Sequence, residues 1–159
     1  MEAGVTLPGR YWDSNTFIGW LNGEPDKFQL CDAVIEAAKA GQCRIATSTL
    51  TFTEVYWVKK GPKLLTDHRS TITALFDYSW IIPIELDRAT AELARNLLFD
   101  IATLKSWDAV HVASAIVARR LNAIDCFDTF DDGLIKLTGN LPNSDLILAR
   151  PNLPLKLPF

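Results

Sequence analysis

The chain has 159 residues, 48% of them apolar and 22% charged, and 16 Lys plus Arg against 19 Asp plus Glu give a formal charge of −3. That length and apolar fraction indicate one domain with its own core, and they exclude disorder and collagen-like repeats. The mild acidity excludes a protein that coats nucleic acid by bulk positive charge, while leaving room for a local site. Cys31, Cys43 and Cys126, spaced by 12 and 83 residues, match no zinc pattern and read as buried thiols of a reducing compartment. Residues 1–10 carry neither a basic start nor a long apolar stretch, so they do not read as a signal peptide. No apolar run approaches the ~18 residues of a membrane span, and the expected location is the cytoplasm.

Residues 1–9 read as a leader, 10–149 as the domain and 150–159 as a proline-bearing tail. In chain order, Arg10–Trp12 is a short strand ending at Asp13. Phe28, Cys31, Val34, Ile35 and Ala38 then share one face of a helix that follows Asp26 and stops at Gly41. Cys43–Thr47 is a strand, and Ser48–Lys60 a helix ended by Gly61-Pro62. Leu64, Leu65, His68, Ile72, Leu75 and Phe76 mark the next helix. Trp80–Leu86 reads as a strand that Pro83 confines to an edge or an end.

Asp87 suits the N-cap of a helix carrying Leu93, Leu97, Leu98 and Ile101. Ser106 reads as the cap of a helix over Trp107–Leu121, where Ala109, Ala113 and Ala118 permit close packing. Ala123–Phe127 is a strand, followed by an Asp-rich turn, a helix near Leu134–Leu137 and a last strand over Asp145–Ala149. Strands alternating with helices imply βα units, hence an α/β fold with a mainly parallel sheet covered on both faces.

Ligands of open parallel sheets bind beyond the C-terminal strand ends. The acids placed there are Asp13, Glu54, Asp108, Asp128, Asp131 and Asp132. Several carboxylates in one cleft repel one another, and a hard cation removes that conflict. Oxygen ligands without paired His or Cys favour Mg²⁺ or Mn²⁺ over zinc. Each acid also has a local reading: Thr51-Phe-Thr-Glu54 fits a capping box, Asp108 suits a helix N-terminus, and Asp131 and Asp132 suit caps or turns.

Four segments occur in order: Tyr11-Trp-Asp-Ser-Asn15, Thr47-Ser-Thr-Leu-Thr-Phe-Thr-Glu54-Val, Asp108-Ala-Val-His-Val-Ala-Ser and Thr129-Phe-Asp131. Together, across about Arg10–Leu137, they resemble the PIN-domain family of metal-dependent ribonucleases. The resemblance implies a three-layer α/β/α sandwich with an acidic pocket at the C-terminal edge of its sheet. It implies Asp13, Glu54, Asp108 and Asp131 as ligands of Mg²⁺ or Mn²⁺, with Ser14, Asn15, Ser48 and Thr129 orienting ligands and water. Asp128 and Asp132 flank Asp131 and leave the register of the fourth acid open. Phe130 stands where some relatives place Arg.

The implied reaction is hydrolysis of an RNA phosphodiester by metal-activated water. The implied setting is a homodimeric toxin restrained by an antitoxin protein. A non-catalytic PIN-like RNA-binding or scaffold protein is the alternative. A HAD-like phosphatase is set aside, because Asp13 is followed by Ser14 and Asn15 rather than by an Asp-x-Asp pair.

His111 falls near a buried helix face and reads as a hydrogen-bonded structural histidine rather than a general base. Trp57, with Lys59, Lys60, Lys63 and Arg69, reads as a solvated helix end or as a stacking ring with phosphate-binding charges. Arg119-Arg120 reads as another helix end. Trp12, Trp20, Trp80 and Trp107 read as core or interface residues.

Overall fold

Parallel strands cannot be joined by tight turns, so each pair needs a crossover, and helices supply it here. The computed structural model describes residues 7–56 and 67–152. Strands β1 (Gly9–Trp12), β2 (Arg44–Ser48), β3 (Ile81–Ile84), β4 (Cys126–Asp128) and β5 (Leu148–Ala149) pair in the order β3-β2-β1-β4-β5, all parallel. Helices α1 (Ser14–Leu21) and α2 (Phe28–Lys39) join β1 to β2, and α3 (Thr51–Glu54) and α4 (Asp67–Asp77) lie between β2 and β3. Helices α5 (Arg88–Asp100) and α6 (Ser106–Arg120) lead to β4, and α7 (Asp132–Ile135) lies between β4 and β5.

Alternation along the strands sends successive side chains to opposite faces. Tyr11, Ala46, Ile84 and Phe127 pack with Ala94 and Leu97 of α5 and the small residues of α6. Trp12, Ile45 and Ile81 pack on the other face with Phe17 of α1, Cys31, Val34 and Ile35 of α2, and Ile72 and Leu75 of α4. Two cores on one sheet make the three-layer α/β/α sandwich. Gly9 is fixed by contact: a Cβ there would lie 1.8 Å from the carbonyl oxygen of Ala123. The chain lays β2 and β3 on one side of β1 and then crosses to lay β4 on the other, so its winding reverses between β1 and β4.

Several elements differ from their sequence expectation. Helix α1 has no counterpart there; it starts because Asp13 accepts the Thr16 amide at 2.9 Å as an N-cap. The helix expected over Ser48–Lys60 covers only Thr51–Glu54 among the described residues, and Val55 leaves helical geometry at φ −98°, ψ 81°. Threonine is a weak helix former, and Thr53 turns its hydroxyl back onto the Leu50 carbonyl. Trp57, Lys59, Lys60, Gly61-Pro62, Lys63, Leu64 and Leu65 lie outside the described residues.

Ser106 is the first residue of α6 rather than its cap, which is Lys105 without a side-chain bond. Lys27 rather than Asp26 occupies the cap position of α2. Trp12 is fully buried, whereas Trp107 is 62% exposed. Pro83 lies in β3, which is an edge strand, where a residue without an amide proton is tolerated. No described helix is long and apolar enough to cross a membrane.

Candidate metal centre

Asp13 leaves β1 at the reversal of winding and is buried. Its Oδ1 accepts both the amide and the hydroxyl of Thr16, at 2.9 and 2.7 Å. Its Oδ2 accepts the Thr129 hydroxyl at 3.3 Å, and that hydroxyl accepts the Asp131 amide at 3.2 Å. Thr129, just after β4, therefore ties the exits of the two central strands together. Asp131 caps α7 by accepting the amides of Gly133 and Leu134 on Oδ1, at 2.8 and 3.2 Å.

Asp108 lies half-buried in the first turn of α6, and no described residue donates a hydrogen bond to it. Burial raises its carboxyl above the ordinary aspartate value, and the negative charges of Asp131 and Asp13 push in the same direction. Asp108, Asp131 and Asp13 thus share one neighbourhood. Glu54, at the end of α3, accepts Ser14 Oγ at 2.5 Å and contacts His111 Nε2 at 2.9 Å, both on Oε1. Its burial works to raise the carboxyl, but the bonds from His111 and Ser14 prevail and hold it below the ordinary glutamate value.

The other named residues have different surroundings. Asp128 is 1% exposed and receives both Arg10 Nε and Nη2, at 2.7 and 2.8 Å, together with Trp12 Nε1 at 3.0 Å. That carboxylate balances a buried guanidinium inside the fold. Asp132 is exposed and pairs with Arg150 at 3.2 Å. Asn15 is exposed on α1. Ser48 is buried; its amide donates to Tyr11 Oη and its hydroxyl accepts the Leu50 amide, so it shapes the turn after β2. Phe130 is partly buried with Lys27 over its ring at 5.6 Å.

Two participants have no role in the sequence reading. Thr16 was detectable as a capping partner three residues after Asp13. Tyr11 looks like an ordinary core aromatic on its strand, and only the placement of α6 brings His111 against its hydroxyl.

A family model describing the PIN domain matches residues 10–140. The chain belongs to the PIN-domain family. A chain of VapBC2 from Rickettsia felis, crystallised with a DNA fragment from its promoter, is similar to this PIN domain at TM-score 0.61 and 19% identity, over 91% of this chain and 99% of that one. VapC20 of Mycobacterium tuberculosis, a sarcin-ricin loop cleaving toxin, aligns at TM-score 0.56 and 14% identity, over 77% and 90%. A toxin–antitoxin complex from Klebsiella pneumoniae aligns at TM-score 0.52 and 21% identity, over 77% and 86%. At these identities the likeness is one of fold. No curated protein matches the chain.

PIN domains generally depend on a divalent metal. Among the described residues of this one, no three His, Cys, Asp or Glu side chains converge as a ready-made ion cage. The donor chemistry nonetheless fits a hard cation: the acids offer oxygens only, and burial together with the charges of Asp131 and Asp13 disfavours the ionised form of Asp108. Mg²⁺ retains several waters and commonly uses only one or two carboxylates directly.

Proposed function

We propose that this PIN domain is a Mg²⁺- or Mn²⁺-dependent endoribonuclease, the toxin of a toxin–antitoxin pair. The observation that carries the reading is the raised carboxyl of Asp108 beside Asp131 and Asp13, where the sheet reverses its winding. Asp13, Asp108, Asp131 and Glu54 would hold the cation. When bound it supplies Lewis-acid activation of water and neutralises phosphate charge.

The chain's own groups do the positioning. Thr16 and Thr129 fix both oxygens of Asp13, and the capping bonds of Asp131 fix that carboxylate against α7. Ser14 and His111 occupy one oxygen of Glu54. Water is the second reactant: one P–O bond of the backbone breaks, and the two products carry a phosphate and a hydroxyl.

Antitoxin and RNA partners, a homodimeric state and a cytoplasmic location belong to the same proposal. It is supported by the assemblies named for the Rickettsia and Klebsiella neighbours and by the activity named for VapC20. Purified protein should cut structured RNA when Mg²⁺ or Mn²⁺ is added, and EDTA or Asp13→Asn should abolish cutting. Cleavage that survives both overturns the reading. A non-catalytic PIN-like RNA-binding or scaffold protein is the competing reading, favoured by the lack of a ready-made cage among the described residues. RNA retention with no uptake of Mn²⁺ would select it.

A further inference from the structure

Glu54 Oε1 faces two partners, Ser14 Oγ and His111 Nε2, and no described residue bonds Oε2. Behind the imidazole, His111 Nδ1 stands 2.8 Å from Tyr11 Oη. Tyr11 Oη in turn accepts the Ser48 backbone amide at 3.2 Å. Glu54 Oε1 can only accept, so Nε2 must donate to it, and Nδ1 then accepts the phenolic hydrogen of Tyr11, whose oxygen keeps a lone pair for the Ser48 amide. The imidazole hydrogen is then assigned to Nε2, facing the carboxylate. Tyr11 and Ser48 are fully buried, His111 is 3% exposed, and the rings of Tyr11 and His111 meet edge-on at 6.0 Å. Such a dry chain leaves little freedom to reorient.

We propose that Tyr11 and His111 form a positioning chain that anchors Glu54 by Oε1 and reserves Oε2 for a divalent cation and its waters. The inference rests on the metal-site reading above and extends it to two residues of the buried layer. Both ring nitrogens of His111 are engaged, so it acts through Glu54 rather than on substrate. Helix α6 carries this imidazole one turn beyond Asp108, presenting an acid and the support of a second acid on the same face.

A merely structural histidine would need any polar group that fills its place, whereas this chain needs a donor at the position of Nε2. The side-chain nitrogen of Gln reaches that position, and that of Asn reaches only the position of Nδ1. Mn²⁺ titration of the folded protein, followed by the signal of the free ion, separates the two. His111→Asn and Tyr11→Phe should weaken Mn²⁺ affinity about 10–100-fold, the range for residues that orient ligands. His111→Gln should restore it to within a few-fold of the unsubstituted protein. Equal affinities for the Asn and Gln variants overturn the proposal while leaving the metal site intact. No Mn²⁺ uptake by the unsubstituted protein overturns the metal-site reading and this proposal with it. Tyr11→Phe keeps the ring against Phe127 and decides alone if His111→Asn does not fold: unchanged affinity overturns the proposal.

Discussion

Asp108 and Glu54 are displaced in opposite directions, so they act oppositely on stability. Glu54 lies below its ordinary value, because bonds from His111 and Ser14 outweigh burial. Its contribution is therefore present above the unfolded glutamate pKa and lost as pH falls through the folded one. Asp108 lies above its ordinary value through burial and the charges of Asp131 and Asp13. It costs nothing below the unfolded aspartate pKa, but its charged form opposes folding once pH rises through the folded value. Asp108→Asn should consequently raise the Tm at pH 7 in EDTA, and the gain should vanish near pH 3. The same substitution should abolish the increase in Tm that Mn²⁺ gives the unsubstituted protein. A lower Tm for Asp108→Asn in EDTA at pH 7 would show that the carboxylate is favourably paired.

At the scale of the element, α1 links chemistry to folding. Asp13 is at once its N-cap and a proposed cation ligand, and Asn caps helices about as well as Asp. Asp13→Asn should therefore leave stability nearly unchanged while removing RNA cleavage. Asp13→Ala should remove cleavage and also lose about 1 kcal/mol, read as a shift in the denaturant midpoint. Equal midpoints for the two variants would show that the cap contributes nothing. The same helix shows why a site can hide in sequence. An eight-residue helix containing Gly19 has too short an apolar pattern to stand out, and its start is visible only through Asp13 and Thr16. The segment after β2 misleads the other way, since its apolar spacing suggests a long helix that its threonines do not sustain through Val55.

Across the whole molecule, the three cysteines report on the core built around Trp12 and on the sheet. All are buried and unpaired, and burial drives the thiols of Cys31 and Cys126 to about 12 and that of Cys43 to about 11. Native protein at pH 8 should give almost no reaction with an aromatic disulfide reagent, and unfolded protein three equivalents. One fast thiol in the native state would mark a layer that opens locally.

The sequence by itself determined the α/β class, the confinement of the strand containing Pro83 to an edge or an end, and the order of the four PIN motifs. Hydrophobic period, turn residues and local acid spacing are short-range properties, and they survive in a one-dimensional string. Tertiary structure decided how the acids divide. Phe127 and Asp128 are neighbours on β4, yet alternation sends Phe127 into one core and leaves Asp128 against Arg10 and Trp12. Three residues later, after Thr129 has bonded Asp13, Asp131 lies where its charge is felt by Asp108. Nothing local distinguishes these acids. Their roles depend on a guanidinium 118 residues away and on the crossing that sets α6 against β1, because charge and hydrogen bonding act through space.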